Sequence, residues 1–113
     1  IFILPSLTEA LGIALIEAQL SGIPAIATQV GGIPDVVTHE VNGLLVAPDN
    51  DDDLLKAAIE LIGDSEKRAG LGLAARKLAV ERFSISRVTQ SYLSLLAAVE
   101  KSTVTSQEIW DNV

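Results

Sequence analysis

Two glutamates, Glu9 and Glu17, stand eight positions apart in the run Leu4 to Pro24, LPSLTEALGIALIEAQLSGIP, with Gly12 between them. A carboxylate accepts hydrogen bonds from paired hydroxyls, as on a ribose or a hexose. A glycine at a helix mouth lets the backbone come close to a ligand, with no side chain in the way. A helix N-terminus adds unpaired N–H groups and the positive end of a dipole, which suits phosphate. A nucleoside diphosphate carrying a sugar is therefore physically reasonable here, with one carboxylate at each end. Eight residues of helix advance the chain by about 12 Å with an offset of about 80°. Glu9, placed before the helix, would face the ligand at the mouth while Glu17 reaches it from further along. A plainer alternative stays open: Glu9 as a dipole partner only, and Glu17 as an exposed or paired helix residue. Glu17 argues for function, because it interrupts an apolar helix and an unpaired buried charge is costly.

The elements that must hold these groups follow from the apolar pattern. Ile1 to Leu4 reads as a buried strand stopped by Pro5-Ser6. Short strands covered on both faces belong to parallel sheets. Leu11 to Leu20 reads as a mostly buried helix, since Leu11, Ile13, Ala14, Leu15, Ile16 and Ala18 nearly encircle it. Gly22 suits the left-handed position after it. Pro24 to Thr28 is a second buried strand, followed by the glycine turn Val30 to Pro34 and one helical turn over Pro34 to Val37. Asn42-Gly43 marks a tight turn, and Leu44 to Val46 a third strand.

Three helices complete the pattern. Asp51, Asp52 and Asp53 open the first at the positive end of its dipole, with Leu55, Ile59 and Ile62 lining one face and Gly63 closing it. Metal binding by this Asp run is the weaker reading, because consecutive carboxylates point in different directions. Ser65 is expected to cap the second, with Leu71, Ala75 and Leu78 inward and Gly70 and Gly72 weakening it. Ser84 caps the last, in which Val88, Tyr92, Leu95 and Val99 share a face. Strands alternating with helices imply an α/β fold with a parallel sheet. Three strands make half of a doubly wound sheet, so one edge lacks its neighbour. Ligands in such sheets sit beyond the carboxyl ends of the strands, a rim that Pro5 to Gly12 and Thr28 to Pro34 both occupy.

Composition narrows the function classes. The 113 residues suit one domain, and 49% hydrophobic content supports a sizeable core built from Ala, Leu, Ile and Val. Fifteen acidic residues against 8 basic ones give a net charge of −7, the wrong balance for nucleic acid or an anionic membrane. The absence of cysteine excludes disulfides and thiolate metal sites. No apolar run reaches the length of a membrane span, and cytoplasm is the default compartment. The chain opens inside an apolar run without Met, so we expect a piece of a longer protein. Arg68, Arg76, Lys77 and Arg82 read as solvated helix positions. His39, the lone histidine, reads as a surface turn rather than a catalyst.

With these residues in order, PS-x-x-E, the Glu-x7-Glu pair, EA-x-x-x-G-x-P and VGG, the chain resembles the C-terminal domain of family 4 retaining glycosyltransferases. The resemblance continues through Asn42-Gly43-Leu44-Leu45-Val46 and Pro48 to Arg82-Phe83-Ser84. It implies a partial Rossmann-like sheet, the C-terminal half of the donor-binding domain of a GT-B fold, over residues 1–101. Residues 102–113 are then a polar tail expected to fray, with Trp110 as a docking residue. The intact enzyme would move a hexose from a nucleotide sugar, a UDP- or GDP-sugar, to a hydroxyl acceptor without cofactor or metal.

By that resemblance Glu9 is the catalytic residue, contacting sugar hydroxyls and supporting charge near the anomeric centre. Backbone amides of Ala10, Leu11 and Gly12 hold the sugar, those of Ile13 and Ala14 the phosphate, and Glu17 the ribose. Gly31 and Gly32 match the family's loop near the donor. Where the family has Gly and an aromatic after the first glutamate, Ala10 and Leu11 stand here, which bears on the donor sugar. Asp35 replaces a frequent Glu. The family's basic pair for the diphosphate and its acceptor domain lie upstream, so the 113 residues alone are expected not to turn over. A non-catalytic nucleotide-binding or self-assembling module, associating through an open sheet edge, is the competing reading. A GT-B epimerase or phosphorylase is a third.

Overall fold

Three short strands form one parallel sheet in the order β1-β2-β3: β1 (Phe2–Leu4), β2 (Ala25–Thr28) and β3 (Leu44–Val46). This is the expected α/β arrangement, seen in a computed structural model that describes residues 1–101. The helices are α1 (Ile13–Leu20), α2 (Ile33–Val36), α3 (Asp51–Gly63), α4 (Ser65–Phe83) and α5 (Ile85–Lys101). The chain divides into two compact units, Ile1–Val80 and Glu81–Val113. The proposed tail at 102–113, Trp110 included, lies outside the described residues.

In the first unit β2 is the central strand and all four of its residues are buried. Ile26 meets Leu44, Val46, Ala57, Leu61 and Leu71 in a core between the sheet and the later helices. Complete burial of a leucine such as Leu61 contributes about 2 kcal/mol. The first strand was expected to be buried on both faces, and it is not. Phe2 and Leu4 are half-buried, but Ile1 and Ile3 are 43% and 44% exposed on the alternate face. Among the described residues β1 is an edge strand with only β2 beside it, and the face carrying Ile1 and Ile3 is uncovered.

Helix α1 starts two residues later than its apolar run. Gly12 adopts φ 76°, a left-handed conformation that cannot be the first turn of a right-handed helix. Leu11 and Ile13 are consequently exposed, and only Leu15, Ile16, Ala18 and Gln19 are buried. The helix ends as expected at Gly22, φ 72°. Gly22 N–H donates to Gln19 O at 2.9 Å and Ile23 N–H to Ala18 O at 3.0 Å, the paired bonds of a Schellman motif. In the 38–43 turn the left-handed residue is Glu40, φ 60°, rather than Asn42 or Gly43.

Helix α3 turns a different stripe inward. Leu55, Ile59 and Ile62 are 58%, 61% and 68% exposed, while Leu54, Ala57, Ala58 and Leu61 pack on the core. Both stripes obey a helical period, and contact with β2 and β3 selects one of them. Its N-cap is Asn50, whose Oδ1 accepts from Asp53 N–H at 3.0 Å while its Nδ2 donates to Asp53 Oδ2 at 3.0 Å. The Asp run thus builds a helix entrance. Asp64, not Ser65, caps α4, accepting from Lys67 N–H at 2.8 Å.

Gly70 and Gly72, the two glycines of α4, differ. A Cβ at Gly70 would meet nothing within 4 Å, whereas one at Gly72 would lie 2.4 Å from Gly22 O. Gly72 therefore lets α4 seat on the turn between α1 and β2. In the second unit, Ser84 Oγ caps α5 by accepting from Arg87 N–H at 3.3 Å. Of the four residues expected to share a face there, Leu95 is half-buried and Val88, Tyr92 and Val99 are exposed.

Candidate functional site

The carboxyl rim of the sheet carries the two loops that the sequence singled out. Thr28, at the end of β2, donates its hydroxyl to Ser6 O and so ties the β1 exit to its neighbour. Ser6 Oγ donates to Glu9 Oε2 at 3.5 Å, and Ala10 N–H donates to Glu9 Oε1 at 3.2 Å. Glu9 is half-buried, with its carboxylate folded over its own loop.

The strongest constraint is one that sequence reasoning missed. Gly31, φ 52°, sits so close to the first loop that a Cβ there would lie 1.7 Å from Glu9 O. At Gly32 a Cβ would lie 2.1 Å from Ala10 O. Gly32 N–H donates to that same carbonyl at 2.8 Å. The glycine turn braces the Glu9 loop by backbone contact, which only residues without a side chain permit. The Val30-Gly-Gly signal was visible; its partner, 22 residues earlier, was not.

Gly12 leaves α1 without a side-chain cap, while its carbonyl accepts from Leu15 and Ile16 N–H at 2.9 and 3.2 Å. The N–H groups of Ile13 and Ala14 have no acceptor within the helix. A helix mouth of this kind favours an anion. Leu7, Leu11 and Ile13 expose apolar surface around it.

Glu17 is exposed on α1, so the argument from a costly buried charge does not apply to it. Among the described residues its carboxylate has no hydrogen-bond partner, and it is available to a ligand's hydroxyls. Four helical steps separate it from Ile13, an advance of about 6 Å, half the rise of a continuous eight-residue helix. The buried polar residue of α1 is Gln19.

The basic side chains have structural duties. Arg68 donates to Leu61 O and Ile62 O at 2.6 and 3.1 Å, and Arg76 to Leu20 O at 3.1 Å. They cap the ends of α3 and α1 instead of being merely solvated. Lys67 bridges Glu60 and Glu40, the latter at 3.1 Å. Its hydrogen bond to Glu60, then that to Glu40, raises the Lys67 ammonium above the usual lysine range. The Lys67 hydrogen bond lowers the Glu40 carboxyl.

His39 is exposed and its Nδ1 accepts from Leu45 N–H at 2.9 Å on β3. That is a turn-closing contact, as a surface residue would make. It borders a cavity of about 220 Å³ between β3 and α3, lined also by Asp53, Lys56 and Glu60. None of the residues expected to hold a donor lines it. Among the described residues no three His, Asp or Glu side chains converge as a metal site, and no helix is long and apolar enough to cross a membrane.

Residues 1–78 match the family model described as glycosyl transferases group 1. The chain is 28% identical over 95 residues to an uncharacterized glycosyltransferase of Methanocaldococcus jannaschii, covering 84% of this chain and 24% of that protein. Its fold is similar to Anabaena HepE solved in complex with UDP, with a TM-score of 0.78 and 31% identity over 80% of this chain and 25% of that one. HepE has also been solved in complex with UDP-glucose. Sucrose-phosphate synthase from Thermosynechococcus elongatus gives a TM-score of 0.75 and 33% identity, over 85% of this chain and 25% of that one. The chain thus spans about a quarter of the length of these relatives.

Proposed function

The chain belongs to the glycosyl transferases of group 1, and from that premise we propose that it is the donor-binding portion of an enzyme moving a hexose from a nucleotide sugar to a hydroxyl. One observation carries the reading: the glycine turn clamps the Glu9 loop beside an uncapped helix mouth. HepE, whose fold this chain shares, was solved in complex with UDP and UDP-glucose, which favours UDP over GDP as the base-bearing group.

In this reading Ile13 and Ala14 N–H groups take phosphate, and Glu17 takes the ribose hydroxyls. Ala10, Leu11 and Gly12 hold the sugar by their backbone amides. Ala10 N–H faces Glu9 Oε1 in the structure, so a sugar hydroxyl would replace one hydrogen bond with another. Glu9 then contacts the sugar and supports charge at the anomeric carbon as the bond to phosphate breaks. Retention, independence from metal and cofactors, and a cytoplasmic setting belong to the same proposal. The acceptor and the opposite wall of the cleft would come from an N-terminal domain, and the 113 residues alone should not turn over.

Calorimetry of UDP and GDP binding, repeated on Glu17→Ala, tests the ribose role. We expect the variant to bind UDP at least about tenfold more weakly, the loss of one charged hydrogen-bond acceptor. Equal affinity in the two proteins removes Glu17 from the site. A second reading, self-association of the chain, is favoured by the open edge of β1, where Ile1 and Ile3 are exposed. Light scattering that gives a clean monomer counts against it.

A further inference from the structure

Beneath α2 lies a knot of two buried amides. Gln19 and Asn42 are 0% and 1% exposed. Both donate to one carbonyl, Val36 O, from Gln19 Nε2 at 3.4 Å and from Asn42 Nδ2 at 2.9 Å. Gln19 Nε2 also reaches Asn42 O at 3.5 Å, and Asn42 Oδ1 accepts from Thr38 N–H at 2.7 Å. Gln19 Oε1 is buried with no hydrogen-bond partner among the described residues. A half-satisfied buried amide lowers stability, whereas an apolar side chain of the same shape would not. Gln19 therefore adds little net stability, and what its bonds contribute is alignment.

The elements it joins say what is aligned. Gln19 sits on α1, two residues beyond Glu17. Val36 ends α2, which begins immediately after Gly32. A single turn of helix transmits the position of Val36 to Gly32 and thence, through the bond from Gly32 N–H to Ala10 O, to the Glu9 loop. The hydrogen bond that Gln19 Nε2 donates to Val36 O ties α1, with its open mouth and Glu17, to the turn that braces Glu9.

We propose that Gln19 and Asn42 are positioning residues of the donor site, a buried amide clamp on Val36 that sets the Gly31–Gly32 turn against Glu9 and Ala10. The inference rests on the donor-binding reading and adds to it the residues that set the width of the site. Neither side chain touches the ligand. Both act through the backbone of α2.

The test is Gln19→Met, which keeps the volume and removes both the donor and the orphaned oxygen. UDP affinity is measured by calorimetry and thermal stability by circular dichroism, with Gln19→Leu as a second apolar shape should the first fail to fold. The clamp predicts that stability holds or rises while UDP binds about tenfold more weakly, a modest loss for displaced positioning groups. Equal affinity in wild type and variant overturns the clamp and leaves the donor reading standing. A loss of affinity matched by a fall in melting temperature marks plain packing and also overturns it. If the wild type binds no UDP, the donor reading fails and the clamp goes with it.

Discussion

The rim around Glu9 and the turn at residues 38–43 are both irregular loops, yet the balance of what holds them differs. At the rim, backbone packs on backbone. Gly31 and Gly32 press against the carbonyls of Glu9 and Ala10, and Thr28 secures Ser6 O. Leu7 and Leu11 stay exposed, and the Glu9 carboxylate bonds Ser6 Oγ and Ala10 N–H within its own loop. In the 38–43 turn, backbone bonds from Glu40 N–H to Gly43 O and from Val41 and Asn42 N–H to Thr38 O are reinforced by side chains. Asn42 bonds Val36 O and Thr38 N–H, His39 bonds Leu45 N–H, and Glu40 bonds Lys67. The glycine brace asks little of the rim's side chains, whereas Asn42, His39 and Glu40 are all engaged in holding their turn. The same contrast explains why the chain's only histidine is not a candidate catalyst.

The hardest blow to the rim is Gly31→Ala. A Cβ on the present backbone would lie 1.7 Å from Glu9 O at a left-handed φ, so the two loops must move apart. We expect a loss of about 4 kcal/mol in urea unfolding, from overpacking and backbone strain together. A loss under about 1 kcal/mol would mean that the loops are not in contact. Asn42→Ala breaks the other region at its centre and leaves Thr38 N–H without its partner. A loss of about 2 kcal/mol is expected by the same measurement, set by the two hydrogen bonds lost, to Val36 O and from Thr38 N–H.

Smaller effects sharpen the contrast. Glu40→Gly relieves a left-handed backbone and forfeits an exposed ion pair, and exposed pairs contribute little. The melting temperature should rise; a fall would show that Lys67 matters more than φ. The smallest effect is on pH. The folded-state value of Glu40 is lowered and that of Lys67 raised, so their pairing contributes between the two ordinary values, 4.5 and 10.5. It is lost as pH falls through the folded value of Glu40, or rises through that of Lys67. The stability difference between wild type and Glu40→Gln should stay flat across neutral pH and close toward acid.

Much of the fold was legible because its signals are local. Pro5, Gly22, Asn42-Gly43 and Pro48 punctuate the chain, and β3 and α3 begin where the pattern says. What escaped depends on contacts distant in sequence. Two apolar stripes on α3 satisfy the same period, and only the sheet chooses between Leu61 and Ile59. Arg76 cannot be known to cap α1 from a position 56 residues later. The site was legible as a motif around Glu9 and Glu17. Its support was not, since Gly31 reads as a turn former until Glu9 O is found against it.

One glycine changes how this chain should be stabilised. Helix α4 invites improvement by the ordinary rule that alanine is the better helix former, and both its interior glycines look like the same opportunity. At Gly70, which faces open space, the exchange should raise stability by about 1 kcal/mol. At Gly72 it would drive a methyl into Gly22 O and unseat the helix from the turn that ends α1. An engineer guided by propensity alone would combine the two and discard the useful one with the harmful one.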